Sequence, residues 1–176
     1  TINGQKMAKS LGNFITIQDA LQKYPVDTLK MFYLFSHYTS AIDYSDEKMV
    51  EAGKALQRFD TLFWKAFEII RVKENIEPVA ADFITTGKND FCAAMDDDFN
   101  TPKALACLFD LVNATNKFID TGVKDNNYPG TIYHAVNTIE DLSRNIFGLF
   151  LKEKEADLSA EEEDLIEQRR QARLGK

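Results

Sequence analysis

Between Ser45 and Lys73, apolar side chains recur at Met49, Ala52, Leu56, Phe59, Phe63, Ala66 and Ile70, in alternating steps of three and four. At about 3.6 residues per turn this spacing lays one apolar stripe along roughly seven turns of helix, a seam that other helices must cover. Ser45 offers an N-cap oxygen, and Asp46 and Glu47 place negative charge at the positive end of the helix dipole. The same period returns near 84–96, then at Leu105, Leu108, Val112, Thr115 and Ile119, and again at Ile132, Ala135, Ile139, Leu142 and Ile146. Asn100-Thr101-Pro102 reads as a cap followed by proline in the first turn, and Gly122 and Gly148 as stops. The spacing therefore predicts an all-α fold in the main, with amphipathic helices at 46–73, 84–96, 102–121 and 130–147 packed as an antiparallel bundle. Trp64 and the many phenylalanines are expected in its core.

The flanks read differently. Asn3-Gly4 has the composition of a hairpin turn, and a loop containing Gly12 follows it. Thr16 can cap a short helix running to Tyr24, where Pro25 stops it. Asp27 can cap a second, carrying Leu29, Met31, Phe32, Leu34 and Phe35. Beyond the bundle, Lys152–Asp157 is a charged linker, and Ser159 with Glu162 makes a capping box for a polar helix to about Arg173. The sequence thus divides into 1–44, 45–150 and 151–176.

With 44% hydrophobic and 28% charged residues in 176, the composition is that of a globular protein and excludes wholesale disorder or a collagenous repeat. No apolar run approaches the roughly 18 to 20 residues of a membrane span, and the first residues lack the pattern of a signal peptide. A cytoplasmic protein is expected, with no membrane partner. Cys92 and Cys107 have no CxxC spacing and read as two buried free thiols. The net charge of −7 is unevenly spread: residues 1–75 carry +1 and residues 76–176 carry −8. A nucleic-acid partner is therefore disfavoured by the total and admissible for the first part of the chain.

The stretch richest in chemistry is Lys6-Met7-Ala8-Lys9-Ser10-Leu11-Gly12-Asn13. Two lysines three apart on a glycine-containing loop, beside a hydroxyl, can bring cations and backbone donors to a polyphosphate and stabilise charge growing on departing phosphates. By spacing alone the better reading of the same residues is an exposed, solvated segment. Asp96-Asp97-Asp98 could serve a metal or a helix junction, and their place just before the Asn100 cap favours the junction. His37 and His134 have no further ligands at metal spacing.

Taken as a string, residues 6–13 resemble the KMSKS loop of the class I aminoacyl-tRNA synthetases, in which SLGN is also the usual continuation. Ala8 stands where the family pattern has serine; both lysines are kept. Ser36-His37-Tyr38-Thr39-Ser40-Ala41-Ile42-Asp43-Tyr44-Ser45 and, more specifically, Ala94-Met95-Asp96-Asp97-Asp98-Phe99-Asn100-Thr101-Pro102 are similar to the cysteinyl-tRNA synthetase family, with Thr39 in place of a frequent arginine. The resemblance runs from Lys6 to about Leu105, and the helical pattern agrees with it through Phe150.

The resemblance implies a fold in which residues 1–44 form the loop and a stem-contact segment. Residues 45–150 would form an anticodon-binding bundle, and 151–176 would begin a small C-terminal domain. It implies an enzyme that activates cysteine with ATP and Mg2+ and transfers it to tRNA(Cys), acting as a monomer. Lys9 would be the catalytic electrostatic residue, with Lys6, Met7, Ala8 and Ser10 completing the ATP-binding loop. Zinc is implied for the family's catalytic domain through motifs that this sequence does not contain, so none of its residues is assigned to a metal. Without those motifs or a HIGH element the chain by itself is expected to be inactive. Lys23, Lys30, Arg58, Lys65, Arg71 and Lys73, together with Arg169, Arg170 and Arg173, are the candidates for tRNA contact. The alternatives are a non-catalytic helical module that binds RNA or scaffolds proteins, and a cysteine ligase acting on a small amine, for which four long helices would have little use.

Overall fold

A computed structural model of the chain describes residues 1–73, 75–122 and 124–150; the polar C-terminal helix expected near 159–173 lies outside them. Six α-helices follow one another: α1 Ile17–Lys23, α2 Val26–Leu34, α3 Asp46–Ile70, α4 Asp82–Asp96, α5 Thr101–Thr121 and α6 Tyr128–Asp141. The fold is all-α, as the periodicity predicts. Extended pairing among the described residues is limited to two isolated bridges, Ile2 with Gln5 and Ile2 with Tyr44.

Sequence signals set most of the helix ends. Ser45 caps α3 by accepting from the Lys48 amide at 3.3 Å, and Asn100 caps α5 by accepting from the Lys103 amide at 3.2 Å. Thr16 and Asp19 form a reciprocal capping box at the start of α1. Asp27 does not cap α2. Pro25 holds that N-cap position with its restricted φ, no side chain caps the helix there, and Asp27 lies inside the first turn.

The helices α3 and α4 each pack on α5 and α6. Arg58 meets Asn113 and Lys65 meets Asp120, so α3 and α5 advance in the same direction. Consecutive bundle helices alternate in direction, which makes the α3–α5 contact a parallel one inside an antiparallel bundle. The connection from α3 to α4 lies against α6, where the Val79 amide donates to the Gly130 carbonyl at 3.1 Å. Only glycine fits at 130, because a Cβ there would run into the Glu77 carbonyl.

One continuous apolar core joins the first segment to the bundle. Ala20, Leu29, Met31 and Phe32 pack in the same cluster as Met49, Phe59, Phe91, Leu108, Ile132 and Leu149. The seam of α3 is buried at Met49, Ala52, Leu56, Phe59, Leu62 and Ala66, with Phe63 and Ile70 half-buried at its edge. Trp64 is outside the core at 67% exposure, since it stands one residue, or about 100°, off the stripe that Phe63 continues. Phe67, at 60%, is also outside. Cys92 is exposed and Cys107 half-buried, so the expectation of two buried thiols fails; Phe91 and Ala94 take the inward side of α4. Partial burial raises the Cys107 thiol pKa.

At the end of α6 the stripe slips by one residue. Leu142–Ile146 form a wide π turn, in which the Phe147 amide reaches the Leu142 carbonyl. The extra residue turns Ile146 outward, 48% exposed, and buries Phe147 and Leu149 in its place.

Candidate active-site loop and nucleic-acid face

The loop at 6–13 hangs between two anchors. On one side Asn3 and Gly4, at φ 49° and 75°, make the two-residue turn expected from their sequence, closed by reciprocal Ile2–Gln5 hydrogen bonds. Asp43 holds this turn by accepting from the Gly4 amide at 2.9 Å and from the Thr1 hydroxyl, and Lys48 pairs with its other oxygen at 3.4 Å. These donors, the Thr1 hydroxyl first, hold the Asp43 carboxyl down at about 2. On the other side stands the Thr16–Asp19 capping box of α1.

Between the anchors, Lys9–Leu11 form a single 3-10 turn with the Leu11 amide on the Ala8 carbonyl at 3.0 Å, and Gly12 follows at φ 67°. The side chain of Asn13 folds back across the loop. Its carbonyl oxygen accepts from the Ala8 amide at 3.0 Å, and its amide donates to the Lys6 carbonyl at 3.0 Å. Lys6, Met7, Ala8, Lys9 and Ser10, the predicted phosphate-binding residues, therefore occupy one compact turn. Lys6 and Ser10 are exposed, Met7 is 44% exposed, and Ala8 is half-buried.

The predicted RNA-facing cations are scattered. Lys23 is exposed at the end of α1, beside the 3–4 turn and the first turn of α3. Lys30 is engaged internally: its ammonium donates to the Gly148 carbonyl at 2.6 Å and pairs with Asp27 at 3.2 Å. Asp27 completes this clasp by accepting from the Phe150 amide at 3.0 Å. Arg58 lies over the Phe109 ring at 4.3 Å and donates to Asn113 at 2.9 Å. Lys65 pairs with Asp120, and Arg71 with Glu68. Arg169, Arg170 and Arg173 lie outside the described residues.

The two family-like strings meet in space. The Tyr38 hydroxyl donates to the Asp98 carboxylate at 2.8 Å, and the His37 Nε2 lies 3.2 Å from the Asp98 carbonyl. Asp98 and Phe99 both have positive φ, 55° and 52°, which is uncommon for residues with a Cβ and makes the sharp corner between α4 and α5. Asp97 ends α4 and faces Lys103 at 3.5 Å. The three aspartates are thus junction residues, as their position suggested. Next to them, an open cavity of about 540 Å³ is lined by Tyr33, His37, Tyr38, Ser40 and Thr101.

Among the described residues no three His, Cys, Asp or Glu side chains are placed to share a metal ion, and no helix is long and apolar enough to cross a membrane. The zinc that the resemblance implies has no fitting donor set among them, and no step is assigned to it. Sequence reasoning missed Asn13, Asp27 and Asp43. Asn13 and Asp43 carried a signal as members of the SLGN and Ser36–Ser45 strings, and Asp27 was expected only as a helix cap.

Comparison with known proteins points the same way for both ends of the described region. A family model described as the class I (C) tRNA synthetase catalytic domain matches residues 1–54, and one described as the DALR domain matches residues 90–152. The chain is 37% identical to a cysteine–tRNA ligase of a Sulfurihydrogenibium species over 180 residues, covering 95% of this chain and 37% of that protein. It is 38% identical to the cysteine–tRNA ligase of Mannheimia succiniciproducens over 177 residues, covering 100% of this chain and 36% of the relative. For the ligase of Persephonella marina the identity is 40% over 157 residues, with 85% and 32% covered. The chain spans about a third of the length of these curated relatives.

Proposed function

We propose, from the premise that this chain belongs to the cysteine–tRNA ligase family, that it supplies two working parts of such an enzyme. The first is a loop that stabilises ATP as cysteine is activated, and the second is a helical body that binds tRNA. The relatives' names supply the reaction class, and the compact turn that gathers residues 6–10 carries the assignment of the loop.

In the first step a carboxylate oxygen of cysteine attacks the α-phosphorus of ATP, forming cysteinyl-adenylate and releasing pyrophosphate. Negative charge grows on the leaving phosphates, and fixed cations aimed there lower the barrier because their interaction strengthens as that charge develops. Lys9 is the residue assigned this task. Lys6, Met7, Ala8 and Ser10 shape the loop around the phosphates, with Mg2+ arriving as part of the ATP substrate. The adenylate then passes its cysteinyl group to the terminal ribose of tRNA(Cys).

We divide the chain between these tasks as 1–44 for the loop and stem contact, 45–150 for anticodon binding, and 151–176 for the start of a further domain. The stem-facing candidates are Lys23 and the Tyr38–Thr39 turn. Arg58 lies on the bundle, and Arg169, Arg170 and Arg173 extend the basic set. Lys30 is better explained as the clasp on Gly148. The protein works as a cytoplasmic monomer in this reading.

The test is a titration of tRNA(Cys) against the 176-residue chain at two salt concentrations. Binding that weakens steeply with salt and exceeds that of a non-cognate tRNA supports the reading. Absence of salt-dependent binding, with stable capture of a protein partner, supports a scaffold.

A further inference from the structure

The geometry points to Asn13 as a positioning residue for cysteine activation: its carboxamide fixes the spacing of the two loop lysines before ATP arrives. This rests on the reading of residues 6–10 as the ATP loop and adds a residue to it. Lys6 and Lys9 flank the two residues Met7 and Ala8, so the backbone from 6 to 8 governs how far apart the two lysine backbone positions stand. Asn13 bonds both ends of that stretch, accepting from the Ala8 amide and donating to the Lys6 carbonyl, each at 3.0 Å.

The Leu11 amide then closes the turn on the Ala8 carbonyl, so Ala8 is held through both its N–H and its C=O. Gly12 makes the return of Asn13 possible, since φ 67° is a conformation glycine adopts freely. Position 8 is alanine here and brings no hydroxyl of its own, which leaves the side-chain bracing of this stretch to Asn13. The loop has a defined conformation in the absence of ATP, and without that bracing it would have to be selected as the transition state forms. Holding it in advance lowers the ordering cost in the transition state, which appears in kcat and not in the affinity for cysteine.

The experiment uses a full-length cysteine–tRNA ligase carrying this segment, with Asn13→Ala and Lys9→Ala compared in ATP–pyrophosphate exchange and in thermal melting. Exchange of the Ala8 amide proton is followed in the 176-residue chain. Asn13→Ala is expected to lower kcat for exchange by about 10- to 100-fold, leave KM for cysteine and the melting temperature unchanged, and speed exchange of the Ala8 amide. The inference is overturned if Lys9→Ala is impaired while Asn13→Ala keeps wild-type kcat. It is equally overturned if the Ala8 amide exchanges alike in both chains, or if activity falls only in step with melting temperature. If Lys9→Ala itself exchanges at the wild-type rate, it is the reading of the loop that fails.

Discussion

The loop at 6–13 and the bundle behind it are held together by different forces. The bundle is fixed by apolar burial: Phe59, Phe91, Leu108 and Ile132 are fully enclosed. The loop buries far less, with Leu11 at 65% and Met7 at 44% exposure, and its shape is set by a turn, a glycine and the Asn13 carboxamide. Apolar burial is strong and non-directional, so it sets stability; hydrogen bonds across an exposed turn contribute little net energy but fix direction. On the proposed reading, the loop residues assigned to chemistry can therefore be changed with less effect on folding than the residues of the core.

The sharpest way to break this contrast is in the core. Phe59→Ala should destabilise the chain by about 3 to 5 kcal/mol, read by urea or thermal unfolding, because the side chain is fully buried and ringed by Phe63, Phe109 and Phe150. Phe63→Ala should cost less, since that ring is half-buried. A smaller but clear loss is expected for Asp27→Ala. It removes the acceptor of the Phe150 amide and the partner of Lys30, and hydrogen bonds to charged groups contribute about 1.5 to 3 kcal/mol. That the same change leaves tRNA affinity intact would show that the clasp is structural. Trp64→Ala should shift stability by no more than about 0.5 kcal/mol, as for an exposed surface residue. A shift as large as that of Phe59 would mean that the ring is covered in solution.

The smallest effect concerns pH and the anchor of the loop. The Asp43 carboxyl sits at about 2 in the folded chain, against 3.8 ordinarily. Its folded value is the lower one, so its contribution is fully present above 3.8 and disappears as pH falls toward about 2. An NMR titration of this carboxyl should give a midpoint near 2, and Lys48→Met should raise it slightly, since Lys48 ranks behind Thr1 and Gly4 among its causes. A midpoint at 3.8 would detach the turn at 3–4 from its proposed anchor.

What was legible in the sequence follows from the same contrast. A helix that buries one face must repeat its apolar residues, so the seams of α3, α5 and α6 could be read directly, as could the caps at Thr16, Ser45 and Asn100. Periodicity does not decide what happens one residue off the stripe, and so Trp64 and Cys92 were expected inside. Nor does it announce a π turn: Ile146 continued the pattern on paper, and one inserted residue moved burial to Phe147. The Asp27–Phe150 clasp joins residues 123 apart, for which no local pattern exists. In the loop the string Lys6–Asn13 was legible by resemblance, while the part played by Asn13 depends on how the chain folds back after Gly12.

The central claim is that chemistry resides in a loop on which the fold does not depend. It is tested most directly by measuring ATP–pyrophosphate exchange and melting temperature on the same preparation of Lys9→Ala in a full-length ligase carrying this segment. The expected result is an exchange rate lower by about two orders of magnitude or more, as for loss of one electrostatic group in a transition state, at a melting temperature equal to wild type. Wild-type exchange, or a melting temperature that falls by several degrees together with activity, would contradict it.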